Sequence, residues 1–250
     1  MPDGPLLILT ATIRPLTSVM LKLTDPEARR QQYLEALAGW LEQGGHYPRS
    51  ILFIENSGED LKAFQDLVEK HNPHGRRVEL VSLSISYPQE LGKGYGEFLA
   101  IDEGMARSTL AREHQSFAKC TGRIRVKNFD RVVRRLPADL DFAGDVLLKY
   151  SATTGHIDSR LLFFSRRFYD AQLKGLYRQM NDTAGVIAEN ALYSALIANP
   201  TARVVTTLPV EPRWVGSSAS VGVVYDAWSQ RIRHPLRILR RAWRRGSTAS

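Results

Sequence analysis

The segment Phe117-Ala-Lys-Cys-Thr-Gly-Arg-Ile-Arg-Val-Lys-Asn128 decides the fold prediction. Its apolar start runs into Lys119, a Thr121-Gly122 turn and Arg123. In an α/β protein a strand ends in this way at the carboxyl edge of the sheet, where the crevice binds ligands. A lysine charge, an arginine fork and the backbone N–H groups of a turn suit a phosphate group, although basic turn residues are often only solvated.

The chain before this segment alternates short apolar runs with helical patterns. The runs predict strands, and apolar residues at helical spacing predict helices. Strands are predicted over residues 6–13, 51–54, 78–85 and 117–119, with helices over 26–43, 61–68 and 98–105. Strands separated by helices predict a three-layer α/β/α sandwich with a mostly parallel sheet in a single domain.

Polar residues follow each predicted strand, and parallel strand ends meet at one edge. This predicts a nucleotide site, with Glu55 or Asn56 near the base or ribose and the cations near phosphate. The candidate nucleotide-sugar-binding residues are Thr12, Arg14, Glu55, Asn56, Lys93, Gly94, Lys119, Thr121, Gly122 and Arg123.

The glycines between residues 92 and 96 do not form a known phosphate-binding motif. Gly92-x-Gly94-x-Gly96 has the wrong spacing for the dinucleotide fingerprint and follows the third strand rather than the first. No P-loop pattern occurs. The segment is either a glycine-capped connector or a ligand contact.

The strand-end asparagine, the Gly-Lys-Gly-Tyr-Gly-Glu segment and the Lys-x-Thr-Gly-Arg strand end together resemble bacterial GT-A-type glycosyltransferases of surface polysaccharide and lipopolysaccharide assembly. The likeness covers roughly residues 6 to 215. It implies one domain over 1–225, with a nucleotide half of about 1–135 and an acceptor half of about 136–225.

One departure from this family concerns the metal. Most GT-A enzymes end the fourth strand with Asp-x-Asp, which holds a divalent cation, whereas this chain has Lys119-Cys-Thr121. Lys119 and Arg123 could neutralise the leaving diphosphate instead, so no metal or other cofactor is expected. Asp139-Leu-Asp141 lies among loop-like residues and is interpreted as a chance triplet.

The second half of the chain must supply the acceptor contacts and a catalytic base. Residues 146–148 and 161–164 read as strands, and 168–180 and 183–197 as helices. An acceptor hydroxyl loses a proton as it attacks the anomeric carbon, so a positioned carboxylate is required. Glu189, an acid in an apolar helical stretch, is the first candidate, and Asp158 is the second. An exposed or ion-paired Glu189 is the alternative.

Composition limits the remaining possibilities. The chain has 250 residues, 43% of them hydrophobic, which is enough for one substantial core. One cysteine excludes an intramolecular disulfide and fits a reducing cytoplasm. We expect no signal peptide, and no apolar run reaches the ~20 residues that span a bilayer.

Residues 226–250 read as a basic amphipathic tail. Residues 231–250 hold seven arginines and no acid, and the net charge of +8 less these seven leaves +1. Trp243 lies on its apolar face and Arg240 and Arg244 on its basic face, a pattern typical of a helix on an anionic membrane. The protein is therefore expected at the inner face of the cytoplasmic membrane.

The sequence thus predicts a glycosyltransferase, independent of metal, that moves a sugar from a nucleotide-diphosphate donor to a cell-surface glycan or its lipid-linked precursor. Two alternatives stay open. One is another nucleotide-using enzyme such as a nucleotidyltransferase, and the other is a non-catalytic nucleic-acid-binding protein acting through the tail, although no nucleic-acid partner is expected.

Overall fold

The structure of the chain is a computed structural model that describes residues 4–16, 23–149, 154–217 and 224–225. The tail lies outside these residues, so the membrane contacts of Arg240, Trp243 and Arg244 stay predictions. The strands are β1 (Leu6–Ala11), β2 (Ser50–Glu55), β3 (Arg77–Ser82), β4 (Ser116–Thr121), β5 (Ile124–Val126), β6 (Phe142–Ala143), β7 (Val146–Lys149), β8 (Gly155–Ile157), β9 (Leu161–Ser165), β10 (Val204–Val205), β11 (Trp214–Ser217) and β12 (Val224–Tyr225). The α-helices are α1 (Pro26–Glu42), α2 (Lys62–Lys70), α3 (Gly92–Arg107), α4 (Thr109–Glu113), α5 (Phe129–Val133), α6 (Arg166–Phe168) and α7 (Ala188–Ile197).

Seven strands form one mixed, mostly parallel sheet in the order β10-β6-β9-β4-β1-β2-β3. Strand β9 alone among them runs against its neighbours β4 and β6. Strands from both predicted halves of the chain therefore share one sheet. The prediction of an α/β fold with a mostly parallel sheet is confirmed.

Alternating residues of the central strands build two cores, one on each face of the sheet. Leu6 and Ile8 of β1 pack in the core that contains α3 and α7, whereas Leu7 and Leu9 pack in the core that contains α1. All six residues of β1 and of β2 are buried. A strand covered on both faces reads as a continuous apolar run, which is why these strands were predictable.

Two predicted helices in the second half are shorter than expected. The stretch 168–180 divides into the end of α6, a π-helical turn (Tyr169–Leu173) and a 3₁₀ turn (Leu176–Gln179). Gly175 separates the turns with φ +79°, a left-handed conformation that stops a helix. The stretch 183–197 becomes helical only at Ala188, the first residue of α7.

A smaller sheet, β12-β11-β5, packs beside α1. Trp40 of α1 joins them, donating from Nε1 to the carbonyl of Ile124 at 3.2 Å. Among the described helices, none combines the length and the apolar character needed to cross a bilayer.

Candidate active site

The ends of β1, β2 and β4 lie side by side at the carboxyl edge of the large sheet. Ala11 pairs with Glu55, and Thr10 pairs with Thr121. Because β9 is antiparallel to β4, the loop that enters β9 meets the same edge, and Thr121 N donates to Arg160 O at 3.1 Å. The convergence of strand ends predicted from the sequence is present, and the second half adds a loop to it.

A buried ion pair between Lys119 and Glu97 occupies the centre of this edge. The Lys119 side chain is fully buried, and its Nζ lies 2.8 Å from Glu97 Oε1 and donates to Ser159 O at 2.6 Å. Thr10 Oγ1 donates to the same Glu97 oxygen at 2.6 Å. Burial raises the pKa of Glu97, but the Lys119 charge and the Lys119 and Thr10 hydrogen bonds outweigh it and hold the pKa below its ordinary value.

The structure separates the two cations that the sequence placed around one diphosphate. Lys119 points to the α3 face of the sheet, where Glu97 of α3 neutralises it. The guanidinium of Arg123 lies on the α1 face, 5.6 Å from the ring centroid of Tyr33 in α1. A strand sends successive side chains to opposite faces, and the turn at Gly122 turns Arg123 towards α1.

Glu189 is connected to the Lys119 pair through Ser159. Ser159 Oγ donates to Glu189 Oε1 at 2.7 Å, while the carbonyl of the same serine accepts from Lys119. Glu189 is half-buried in the first turn of α7. No hydrogen bond to its Oε2 comes from the described ranges, so this oxygen is open to a ligand.

Asp158, the second candidate base, is held in a salt bridge. The Arg160 side chain binds both of its carboxylate oxygens, with Nε at 2.8 Å from Oδ1 and 3.1 Å from Oδ2. Arg160 in turn lies 4.6 Å from the ring centroid of Trp214. The pair anchors the loop that carries Ser159, which suits a structural role better than proton transfer.

The glycine segment allows α3 to approach its protein neighbours. The helix starts at Gly92, so the segment is the first turn of α3 rather than a loop before it. A Cβ placed on each glycine would press against a protein side chain, namely Asp182 for Gly92, Ala188 for Gly94 and Tyr87 for Gly96. The approach of Gly94 to Ala188 places the start of α3 against the start of α7.

Asp182 is an acidic residue of this region that the sequence did not single out. It accepts from Lys93 N at 3.1 Å at the start of α3. Burial raises the pKa of Asp182, and the negative charge of Glu189 raises it further, against the Lys93 contribution. Asp182 lies in a loop between polar neighbours, so no pattern in the sequence marks it as a candidate site residue.

Glu55 is fully buried and bonded to the chain around it. Its carboxylate accepts from Ile13 N, Ser57 N and Glu59 N, each at 3.0 Å. It therefore fixes the loops after β1 and β2. Asn56, its neighbour, donates to Gly96 O at 3.3 Å, while its buried Oδ1 has no partner in the described part of the chain.

The residues after β1 divide between interior and surface. Both backbone groups of Thr12 are bonded within the protein: its N–H donates to Tyr33 Oη at 3.0 Å, and its carbonyl accepts from Arg29 Nε at 2.7 Å. Arg14 is exposed and forms a 2.9 Å ion pair with Glu59.

Asp139 and Asp141 lie away from these groups. Asp141 precedes β6 at the opposite edge of the sheet, level with the start of β4, and Arg167 binds both of its oxygens at 2.7 Å. Asp139 forms an ion pair with Arg203. Both acids have structural partners at a distance from the candidate site.

No family model and no curated protein matches this sequence. Several solved structures resemble the chain in fold. The mannosyltransferase PcManGT from Pyrobaculum calidifontis, in complex with GDP-Man and Mn²⁺, matches with a TM-score of 0.51 and 16% identity over 96% of this chain and 65% of that one. The chain has a GT-A-like fold. At this identity the likeness shows the fold alone.

Two further matches have lower TM-scores. The glycosyltransferase GlyE of Streptococcus pneumoniae TIGR4 has a TM-score of 0.49 and 10% identity, over 81% of this chain and 44% of that one. A cytidylyltransferase from Leptospira borgpetersenii has a TM-score of 0.44 and 9% identity, over 81% and 74%. This chain spans less than two thirds of the length of PcManGT and of GlyE.

Proposed function

We propose that the chain is a glycosyltransferase that moves a sugar from a nucleotide-diphosphate donor to a hydroxyl of a growing cell-surface glycan. The donor would lie across the carboxyl edge, with its nucleoside near Asn56 and the loop after β1. The acceptor would approach from the side of α7. The GT-A-like fold supports this choice of reaction, and the acid-rich centre of the edge supplies the chemistry.

The observation that carries the proposal is the open carboxylate of Glu189. Attack on the anomeric carbon requires that the acceptor hydroxyl transfer its proton as the new bond forms. Glu189 Oε2 is the proton acceptor in this proposal, while the 2.7 Å bond from Ser159 to Oε1 fixes the orientation of the carboxylate. Lys119 acts one step further away, since it holds the carbonyl of Ser159 and the carboxylate of Glu97 in place.

The experiment that tests this role is Glu189→Gln, which keeps the shape and removes the base. We expect transfer from a nucleotide-sugar panel to fall by roughly 10²-fold or more, with donor binding almost unchanged. Glu103→Gln, which removes an exposed acid of α3 paired with Arg107, is the matched control and should keep full activity. Near-normal turnover of Glu189→Gln would move the assignment to Asp182 or Asp158.

A thermal-shift screen against nucleotides and oligonucleotides separates this proposal from its alternatives. Stabilisation by a nucleoside diphosphate supports sugar transfer. Stabilisation only by a nucleoside triphosphate with magnesium would instead favour nucleotidyl transfer, and stabilisation only by an oligonucleotide would favour nucleic-acid binding.

Independence from metal is part of the proposal. The residues at the end of β4 do not fit a divalent cation, because Lys119 is an ammonium group bonded to Glu97 and Ser159, and hard cations require oxygen ligands. We expect activity to survive EDTA. Complete loss of activity in EDTA with recovery in manganese would contradict this part of the proposal and would return attention to Asp139 and Asp141.

A further inference from the structure

A large cavity lies at the amino edge of the large sheet, where the parallel strands begin. It has a volume of about 820 Å³, and its lining includes residues at the starts of four of these strands, namely Gly4 before β1, Ser50 of β2, Arg77 of β3 and Ser116 of β4. Each of these strands has six residues, so its two ends are about 17–20 Å apart. The cavity is therefore distinct from the site at the carboxyl edge, and an inference about it does not depend on the proposed transfer reaction.

The charged side chains that line this cavity are mostly basic. Arg49, Arg76 and Arg77 carry three positive charges, and Glu113 carries the one negative charge among the described lining residues, which leaves a formal charge of +2. Glu113 is paired with Arg77, whose Nη2 lies 2.8 Å from Glu113 Oε2. The cavity is also lined by three histidines, His46, His74 and His114. Protonation of any of them would add to the positive charge.

Two acids outside the lining, Asp130 and Glu42, form hydrogen bonds with lining histidines. Each of these carboxylates is bonded to another residue. Asp130 Oδ2 lies 2.7 Å from Arg134 Nε, and Glu42 Oε1 lies 2.6 Å from His71 Nε2. Neither carboxylate is paired with Arg76 or Arg77 in the described ranges, so these acids do not remove the positive charge of the cavity.

Arg76 is a buried cation that no carboxylate of the described residues neutralises. It is 5% exposed, and its guanidinium donates to three backbone carbonyls, those of Leu41, Gln43 and Pro48. Burial lowers the pKa of Arg76. A buried charge that is bonded only to neutral groups is unfavourable. An anion in the cavity would offset this charge at short range without displacing the three hydrogen bonds.

We propose that this cavity binds a small anion that carries two or more phosphate groups. The Arg77 side chain, 57% exposed, would donate charge-assisted hydrogen bonds to phosphate oxygens, for which the planar guanidinium is well suited. Arg76 would contribute its charge from below the cavity wall. A volume of about 820 Å³ is enough for a small phosphorylated compound. The positive charge of the lining favours an anion with several negative charges over a singly charged one.

The test is isothermal titration of the full chain with inorganic tripolyphosphate at low salt. Saturable binding is expected, and Arg77→Gln should weaken it about fivefold, since one charge-assisted donor group is lost. Arg107→Gln is the matched control, because Arg107 is 58% exposed, is also paired with a glutamate and does not line the cavity. Its affinity should stay within about twofold of the unchanged protein. The arginines of the tail are the same in every variant, so a difference between these two variants reports on the cavity.

Glu113→Gln should have the opposite effect. It removes the carboxylate of the lining and releases Arg77, so tripolyphosphate should bind about threefold or more tightly. Glu103→Gln, which removes the partner of Arg107, is its control and should change the affinity by less than about twofold. Loss of folding cannot explain a variant that binds more tightly. Absence of saturable binding, equal binding by Arg77→Gln and Arg107→Gln, or no gain of affinity in Glu113→Gln would each overturn the proposal.

Two further titrations identify the source of the phosphate groups. If a nucleoside diphosphate displaces tripolyphosphate and is itself weakened by Arg77→Gln, the ligand is a nucleotide. If tripolyphosphate still binds at saturating nucleoside diphosphate, the ligand is another phosphorylated compound. Both results support the site. If only the binding of a single-stranded oligonucleotide responds to Arg77→Gln and Glu113→Gln, the small-anion proposal is overturned in favour of nucleic-acid binding. Glu189→Gln should bind tripolyphosphate normally, which separates failure of this site from failure of the transfer reaction.

Discussion

Replacing Lys119 by methionine removes one partner of the buried ion pair at the centre of the candidate site. Methionine fills a similar volume but leaves Glu97 with the Thr10 hydrogen bond and the charge of Lys93, and it leaves Ser159 O without its Lys119 donor. Removal of one member of a buried pair destabilises a protein by about 3–5 kcal/mol. Because the Glu97 side chain keeps 24% of its surface exposed, we expect the lower end, about 3 kcal/mol.

The measurement is urea unfolding followed by circular dichroism, arranged as a double-mutant cycle. Lys119→Met combined with Glu97→Gln should be less destabilised than the sum of the single variants, with a coupling of about 1–3 kcal/mol, because no unpaired carboxylate remains. Lys62→Met, which removes an exposed lysine paired with Asp66, is the control and should change the unfolding free energy by less than about 0.5 kcal/mol. Equal effects of Lys119→Met and Lys62→Met, or strict additivity in the cycle, would refute the reasoning.

The pH dependence gives a second readout of the same pair. The folded pKa of Glu97 lies below its ordinary value of 4.5, so its contribution to stability is present above pH 4.5 and is lost as the pH falls through the folded pKa. In Lys119→Met the charged carboxylate of Glu97 has lost its lysine partner and destabilises the folded protein. Protonation of Glu97 removes this penalty. The difference in unfolding free energy between the two proteins should therefore narrow below about pH 4.5. A constant difference down to pH 3 would contradict the assignment.

Two other predictions concern the start of α3 and the tail. Gly92→Ala should destabilise the protein by about 2 kcal/mol or more, because φ is +83° and the new Cβ would overlap the Asp182 carboxylate. Gly75 has a positive φ but no neighbour within 4 Å, so Gly75→Ala should cost about 1 kcal/mol. Gly44 has neither a positive φ nor a neighbour within 4 Å, so Gly44→Ala should cost almost nothing. Thermal melts of the three variants would show a different order if packing at α3 were unimportant. Truncation after Gln230 should keep donor binding but weaken sedimentation with anionic liposomes, since each arginine near such a surface contributes about 1 kcal/mol. Equal sedimentation with and without the tail would remove the membrane hypothesis.

The central strands and the first helices could be predicted from the sequence because their signals are local. The runs in β1 and β2 are apolar on both faces, and only a strand covered on both sides tolerates that pattern. The carboxyl edge as the place of the site follows from the order of strands and helices. The break at Gly175 was not predicted, because the neighbouring apolar residues keep a helical spacing across it.

The contacts within the site depend on tertiary structure. Glu97 is 22 positions before Lys119 in the chain, and only the packing of α3 against the sheet makes them a pair. The ion pair with Glu97 neutralises the charge of Lys119, whereas the sequence predicts that this charge binds a diphosphate. Arg123, four positions later, points to the other face because a turn at Gly122 redirects the chain. The sequence alone determined which charged residues stand near the strand ends, whereas the side-chain directions and the register of the sheet decided which of them neutralise one another and which remain unpaired.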